Sequence, residues 1–283
     1  MATLFTNLSA RARVAVFGAA QLIVMVSGRD ARAQASSSAW ASVAVRAADV
    51  VASSSGYRVA VGEHATYDVE LKGHRVGRGS FDVIGADSVD GRNTMHASLK
   101  VTGGLLFAKV DDQFDSWFDP HRFTSRRFVQ NQREVGHTRR RHYEIAPEQG
   151  TFVEKHSGRV DSLSTDEPLD DVSFLFYVRT LPLRVGDVDT IPRYFKSGRD
   201  VIIRVIGKRT ITVPAGTFET IVIRPTIRSS GIFSENGQAE VWVTDDPRHL
   251  MVRMTAKLSF GTLSLSLREI TNVAGPASVL TLR

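Results

Sequence analysis

The sequence contains no cysteine, and this absence removes several kinds of protein at once. Without cysteine there is no disulfide framework, no thiol nucleophile and no residue to carry a lipid after an export signal. The fold must therefore depend on a packed apolar core. The chain of 283 residues is long enough to form one, since 42% of its residues are hydrophobic and 23% are charged, as in ordinary globular proteins.

Long apolar runs are also scarce, and the one that exists lies near the N-terminus. Two arginines precede an apolar stretch from Val14 to Val26, and Ala31-Arg32-Ala33 follows with a small-x-small pattern. This order is typical of a secretory signal peptide, so we predict cleavage after residue 33 and a soluble periplasmic or secreted protein without a membrane span. The alternative is an uncleaved anchor, although the run is shorter than the roughly 18–20 residues that cross a bilayer.

Only a small excess of positive charge is present. The formal net charge is +6, and removal of residues 1–33 takes away four arginines and one aspartate, which leaves +3. A mild excess of this size in an exported protein gives no reason to expect a nucleic-acid partner.

Motifs that carry catalysis are missing too. The sequence has no Walker loop, no Gly-x-Ser-x-Gly and no His-Glu-x-x-His, and its eight histidines are scattered. Four aspartates, Asp111, Asp112, Asp115 and Asp119, crowd one stretch, but their spacing does not match known calcium loops. We therefore predict a protein that is not an enzyme and that holds neither a metal nor a cofactor.

What the sequence does contain is apolar and polar residues alternating at the period of a β-strand. The pattern is clearest from Val201 to Ile227, where two such strands flank Pro214-Ala215-Gly216. A three-residue loop at this point predicts that Val213 pairs with Thr217 and that the odd-numbered residues of both strands face the core.

Only one segment has the pattern of a helix. A cap at Asp170 or Asp171 and an apolar stretch that ends before Leu181-Pro182 predict a short helix over about residues 171–180. We therefore predict an all-β protein, a strongly curved antiparallel sheet or open β-barrel with one short capping helix. Its predicted parts are a signal peptide (1–33), a flexible lead (34–62), a single antiparallel β domain (63–271) and a tail (272–283).

Two glycines lie close together in one predicted strand. Gly77 and Gly79 are two positions apart and so lie on the same face. We expect them to allow the strand to bend or another backbone to approach closely.

A second predicted hairpin, between about residues 121 and 145, is rich in arginine. On alternation Arg139 and Arg141 share a face with Tyr143 and Ile145, whereas Arg140 points to the other face. One interpretation is a basic exposed sheet surface, because charge on such surfaces prevents aggregation. The other is a site for an anionic partner, with the candidate anion-binding residues Arg126, Arg127, Arg139 and Arg141.

The order of several short motifs resembles a bacterial exported family catalogued as domain of unknown function 3108. The resemblance rests on Tyr67 through Gly77, Phe118-Asp119-Pro120, Phe174 to Leu183, Val185-Gly186-Asp187, Val213 to Phe218 and Val241 to Asp246. It departs at Leu250-Met251-Val252, where the family pattern has a proline. The resemblance spans roughly residues 63–271 and implies a strongly curved sheet or open barrel. It implies no catalytic residue, and by analogy of fold such sheets in the envelope often hold acyl chains or lipoproteins in transit.

Aromatic residues near the predicted helix are candidates to line a cavity between helix and sheet. The candidate ligand-binding residues are Trp117, Phe118, Phe174, Phe176, Tyr177 and Trp242. The alternative is that they fill the core. Our preferred hypothesis is a non-enzymatic carrier of an apolar or lipid-like envelope component, with Phe176 as an anchor of the helical lid. The alternative is a structural or interaction protein that binds an anionic partner through the arginine-rich hairpin.

Overall fold

The structure is a computed structural model that describes residues 59–105, 108–134, 137–196, 200–227, 238–258 and 261–273. Within these residues the chain forms fourteen β-strands, one α-helix and a short 3-10 helix, Pro147–Gln149. The predictions for the signal peptide, for most of the lead and for most of the tail concern parts of the chain outside the described residues.

The strands follow one another with short connections. They are β1 (His64–Leu71), β2 (His74–Val89), β3 (Arg92–Leu105), β4 (Ala108–Phe118), β5 (Ser125–Glu134), β6 (His137–Ala146), β7 (Thr151–Glu154), β8 (Arg159–Ser162), β9 (Val188–Ile191), β10 (Val201–Val213), β11 (Gly216–Ile227), β12 (Glu240–Thr244), β13 (Met251–Leu258) and β14 (Gly261–Thr271). The helix α1 (Asp171–Val178) lies between β8 and β9.

All of these strands belong to one antiparallel sheet. Their order is β8-β7-β6-β5-β4-β3-β2-β1-β14-β13-β12-β11-β10-β9, so pairing of β1 with β14 joins the two ends of the domain. The edge strands β8 and β9 do not pair with each other, and the sheet is therefore not closed. The predicted fold class is confirmed: the protein is all-β, an open and curved antiparallel sheet with one short helix.

The helix is fixed to the sheet through its N-terminal cap. The carboxylate of Asp170 accepts hydrogen bonds from two backbone N–H groups of the first turn, which have no partner within the helix. The same carboxylate accepts hydrogen bonds from the hydroxyls of Ser116 on β4 and Ser125 on β5. The cap therefore also sets where α1 lies on the sheet. We call the sheet face toward α1 the concave face and the opposite face the convex face.

The β10–β11 hairpin has a different register from the predicted one. Val213 pairs with Gly216, so the predicted pair of Val213 with Thr217 is wrong. The physical reason is the turn: Pro214 and Ala215 alone form it, and Gly216 already belongs to β11 with a φ of 130°.

A β-bulge then restores the predicted core face. The bulge between Val205 and Gly207 shifts the register by one residue, and beyond it odd-numbered residues of the two strands pair with each other. Val201, Ile203 and Ile223 are consequently buried, as the alternation predicts.

Side chains bridge the gap that strand pairing leaves open. Phe195, which follows the edge strand β9, is fully buried. Its ring centroid lies 6.2 Å from that of Phe128 on β5, 5.2 Å from that of Tyr143 on β6 and 5.1 Å from that of Phe152 on β7. The two sides of the open sheet are thus held together by aromatic packing. No helix in the described part of the chain is long and apolar enough to span a membrane.

Candidate functional site

A cavity of about 230 Å³ lies between the concave face and α1. Its wall is mostly apolar and includes Val69 on β1, Leu99 and Val101 on β3, Phe114 on β4, and Phe174 and Leu175 on α1. A wall of this kind offers water few hydrogen-bond partners, and such cavities favour hydrocarbon. The cavity is therefore our candidate ligand site.

Two facing glycines shape one wall of this cavity. Gly77 on β2 pairs with Gly103 on β3, and both line the cavity. A Cβ atom on Gly77 would lie 2.3 Å from the carbonyl oxygen of Thr102, and one on Gly103 would lie 2.5 Å from the carbonyl oxygen of Val76. The expected close approach of two backbones is confirmed at Gly77, whereas a Cβ on Gly79 would meet nothing closer than 3.5 Å.

A buried ion pair borders the same cavity. Arg179 Nη1 lies 2.5 Å from Glu63 Oε1, and both side chains are almost fully buried. Arg179 Nε donates a hydrogen bond to the carbonyl oxygen of Arg248 at 2.9 Å. His249 Nδ1 lies 3.1 Å from the carbonyl oxygen of Arg179, and burial lowers the pKa of His249 below its ordinary value. These groups satisfy one another, so we assign them a structural role.

The concave face changes from apolar to polar across β4, β5 and β6. Residues directly paired in an antiparallel sheet lie on the same face. One row of paired residues across β3 to β6 is Val101, Asp112, Gln132 and Arg139, and the next row is Leu99, Phe114, Gln130 and Arg141. We call Gln130, Gln132, Arg139 and Arg141 the polar flank. It adjoins the apolar cavity on one continuous surface.

Asp112 lies between the apolar wall and the polar flank. It is fully buried, and its Oδ2 atom has no hydrogen-bond partner among the described residues. Its Oδ1 atom accepts the backbone N–H of Arg133 at 3.1 Å. Burial raises the pKa of Asp112 to about 6. The charged form of this carboxyl is therefore disfavoured in the folded protein.

The structure separates the four candidate anion-binding arginines into two pairs. Arg126 makes two hydrogen bonds to the carboxylate of Glu148, at 2.8 and 3.1 Å, which lower the pKa of Glu148 to about 2. Arg127 donates to Glu144 at 2.8 Å. Both of these guanidinium groups already have carboxylate partners. Arg139 and Arg141, by contrast, lie on the concave face beside buried glutamines, as their predicted alternation with Tyr143 requires.

Of the six candidate ligand-binding aromatics, Phe174 lines the cavity. Phe118 and Phe176 are buried against each other with ring centroids 5.3 Å apart. Tyr177 is also buried and packs on the ring of Phe123. These three residues were predicted to line the cavity. In the structure they pack in the contact between α1 and the sheet instead.

The two tryptophans lie on the convex face. Trp117 alternates with buried Ser116 and Phe118, stacks on His96 at 4.1 Å and donates to Asp87 at 2.7 Å. Trp242 lies between two cavity-lining valines and so points away from the cavity. Their predicted place in the cavity wall is wrong because the strand period directs them outward.

The polar flank as a group of four residues was not predicted from the sequence. The sequence does contain a signal for its two glutamines. Gln130 and Gln132 alternate with Phe128 and so share its face. What the sequence does not show is which strands lie beside β5 and at what register. The four crowded aspartates form no candidate metal site, and the described residues contain no group of three potential metal-binding side chains.

Comparison with solved structures finds distant likenesses. A β-barrel-like protein of domain of unknown function DUF1849 from Brucella abortus is 11% identical with a TM-score of 0.49, covering 77% of this chain and all of that one. A protein from Parabacteroides distasonis described as a candidate lipoprotein is 13% identical with a TM-score of 0.35, covering 76% of this chain and 97% of that one. A protein from Bacteroides fragilis described as a candidate exported protein with a YmcC-like fold is 12% identical with a TM-score of 0.31, covering 76% and 98%.

No curated protein sequence matches the chain. A family described as "Protein of unknown function (DUF3108)" matches residues 66–268, well over half of the 283 residues. The match confirms the resemblance that the motifs indicated, and the chain belongs to the DUF3108 family.

Proposed function

We propose that this protein is an exported, non-enzymatic carrier that binds an apolar or lipid-like component of the cell envelope in the cavity beneath α1. The observation that carries the proposal is the cavity itself, about 230 Å³ of mostly apolar space on the concave face. Apolar cavities of about 150 Å³ bind a molecule as small as benzene. The larger space here suits a short length of hydrocarbon chain.

The architecture supports a carrier because the cavity is built into the sheet. Gly77 and Gly103 hold β2 and β3 together at its wall, and Asp170 ties α1 to β4 and β5. A wall that strand pairing and the helix cap already fix loses little conformational entropy when a ligand binds. The N-terminal signal pattern supports a location outside the cytoplasm, in the periplasm or beyond the cell.

The alternative, a structural or interaction protein that binds an anionic partner through the arginine-rich hairpin, has weaker support. Arg126 and Arg127 are each hydrogen-bonded to a glutamate of the same domain. A partner would have to displace those contacts. We therefore prefer the cavity to the hairpin surface as the functional site.

Calorimetric titration with 1-decanol, a neutral probe with one hydrocarbon chain, tests the carrier proposal. We expect saturable binding to the wild-type chain, and a loss of at least about tenfold in affinity for Phe174→Glu, which brings a charge to the cavity wall. Ile84→Glu is the matched control, because Ile84 is 57% exposed and does not line the cavity.

The control variant should bind 1-decanol as the wild type does. Absence of saturable binding to the wild-type chain would overturn the proposal. So would equal binding by the Phe174→Glu variant, provided its circular dichroism spectrum matches that of the wild type.

A further inference from the structure

We propose that the ligand is a single-chain anionic amphiphile, whose carboxylate or phosphate headgroup binds Arg139 and Arg141 while its hydrocarbon chain occupies the cavity. This inference rests on the proposed function and names the chemical class of the ligand. It assigns the headgroup to the two arginines of the polar flank. Arg126 and Arg127 are not part of the proposed site, because each forms an ion pair with a glutamate.

The strand register places both arginines beside the cavity. Arg141 pairs with Gln130, which pairs with the cavity residue Phe114, and all three share the concave face. Neighbouring strands lie about 4.8 Å apart, so the Cα atoms of Arg141 and Phe114 are separated by about 10 Å. An extended arginine side chain and a small headgroup span most of that distance.

Arg139 occupies the equivalent place in the adjacent row. It pairs with Gln132, which pairs with Asp112 beside the cavity residue Val101. Two guanidinium groups two positions apart on one strand face can hold one anion between them. Planar guanidinium groups bind carboxylate and phosphate oxygens through paired hydrogen bonds.

Among the described residues, no carboxylate forms an ion pair with Arg139 or Arg141. The other arginines of this hairpin with described ion pairs, Arg122, Arg126 and Arg127, all have glutamate partners. Arg141 approaches the hydroxyl of Tyr143, which also accepts a hydrogen bond from Lys196 at 2.9 Å. A second cationic group therefore lies near the same hydroxyl.

Among the side chains that the structure describes, three carboxylates also face this region, and each accepts at least one hydrogen bond from another group. Asp171 accepts from Gln130 at 3.3 Å and from Tyr194 at 2.9 Å. Asp112 accepts the backbone N–H of Arg133, and Glu154 accepts the hydroxyl of Ser157 at 3.3 Å. These contacts leave the two guanidinium groups of the polar flank as the groups that an anion would complement.

The size of the cavity favours one chain over two. An apolar cavity of about 150 Å³ is filled by one small aromatic ring, so about 230 Å³ holds a short single chain and has no room for the second acyl chain of a phospholipid. A neutral hydrocarbon would leave the arginines unused, whereas an anionic amphiphile fits both parts of the surface.

The test compares three probes with the same ten-carbon chain, namely decanoate, decyl phosphate and 1-decanol, by calorimetric titration of the full chain. In the double variant Arg139→Gln with Arg141→Gln, the affinity for at least one anionic probe should fall by about tenfold or more, and the affinity for 1-decanol should change by less than about twofold. The control is Arg140→Gln, because Arg140 lies between the two on the same strand and points to the convex face. It should bind all three probes as the wild type does.

The outcomes separate the inference from the proposed function. If 1-decanol binds and the double variant keeps its full affinity for both anionic probes, the headgroup assignment is wrong and the carrier proposal stands. If 1-decanol does not bind to the wild type, the carrier proposal is wrong, and the headgroup assignment, which rests on it, is wrong too. A preference for decanoate or for decyl phosphate identifies the headgroup as a carboxylate or a phosphate. Recovery of anionic binding by Arg139→Lys with Arg141→Lys would show that charge, and not packing, is responsible.

Discussion

Gly77 and Gly103 face each other where β2 and β3 form the cavity wall. With a Cβ on Gly77 only 2.3 Å from a backbone oxygen, Gly77→Ala must push the two strands apart. We expect the variant to lose about 1–3 kcal/mol in the free energy of unfolding, the usual cost of overpacking. Urea denaturation followed by circular dichroism measures this change.

Gly79→Ala is the matched control for this prediction. Gly79 lies on the same strand and face, and its Cβ would meet atoms at ordinary contact distance, 3.5 Å and beyond. Its substitution should be close to neutral. Equal stability of the two variants would mean that the strands are not held as closely as the structure shows.

Asp112 makes stability depend on pH in a direction unusual for a carboxylate. Its pKa is raised by burial from 3.8 to about 6, so between these values the folded protein keeps a proton that the unfolded chain has released. The free energy of unfolding should therefore decrease as pH rises from about 4 to about 6 through this group. Asp112→Asn should remove that decrease and stabilise the protein at pH 7, relative to wild type, by on the order of 1–3 kcal/mol.

Urea denaturation of the wild type and of Asp112→Asn at pH 4 and pH 7 measures the effect. Asp111→Asn is the control, since Asp111 is the half-exposed sequence neighbour and its charge is the smallest of the influences on the pKa of Asp112, so most of the pH dependence should remain. If Asp112→Asn and wild type show the same pH dependence, the carboxyl is not buried as the structure has it.

At the scale of elements, α1 divides its aromatic residues between two roles. Phe176 is 1% exposed, and its ring lies 4.8 Å from Phe81 and 5.3 Å from Phe118. Phe174 is only half-buried and lines the cavity. Phe176 therefore packs in the contact between α1 and the sheet, and its removal is expected to destabilise the fold.

We expect Phe176→Ala to lower the free energy of unfolding by about 3–5 kcal/mol, because it leaves a void between α1 and the sheet. Phe174→Ala should cost much less, since its half-buried side chain borders the cavity and not the packed contact between α1 and the sheet. Thermal and urea denaturation of the two variants gives the comparison. A larger loss for Phe174→Ala than for Phe176→Ala would contradict the assigned roles.

The strands and the helix were predictable because each has a local signal. Period-two alternation marks β10 and β11, and an aspartate cap before an apolar stretch marks α1. The register of the β10–β11 hairpin was not predictable from these signals. The register depends on whether Gly216 closes the loop or begins the strand. It also depends on the bulge after Val205, which shifts the pairing by one residue.

The site was less predictable than the elements because it depends on contacts between distant segments. Alternation placed Arg139 and Arg141 correctly with Tyr143, but the cavity residues beside them come from β1, β3, β4 and α1. For the aromatic residues, sequence proximity to the helix was a poor guide. Whether an aromatic residue can reach the cavity depends on the face of the strand that carries it, and Trp117 and Trp242 point to the convex face.

At the scale of the whole molecule, the sheet curves without closing, and side chains complete what strand pairing does not. β1 pairs with β14, while β8 and β9 remain edges. Phe195 and its aromatic neighbours join the two sides across that gap. Side chains fill the interior at this aromatic cluster and in the contact between α1 and the sheet. The space that remains between them and the concave face forms the cavity.

The central claim is that this remaining space holds the hydrocarbon chain of an anionic ligand. A crystal structure of the chain with 10-bromodecanoate tests it most directly, because anomalous scattering locates the bromine at the end of the hydrocarbon. We predict bromine among the cavity residues near Val69, Leu99 and Phe174, with the carboxylate in hydrogen-bond contact with Arg139 or Arg141. Bromine bound only on the outer surface, or a cavity without ligand in crystals grown with it, would contradict the account.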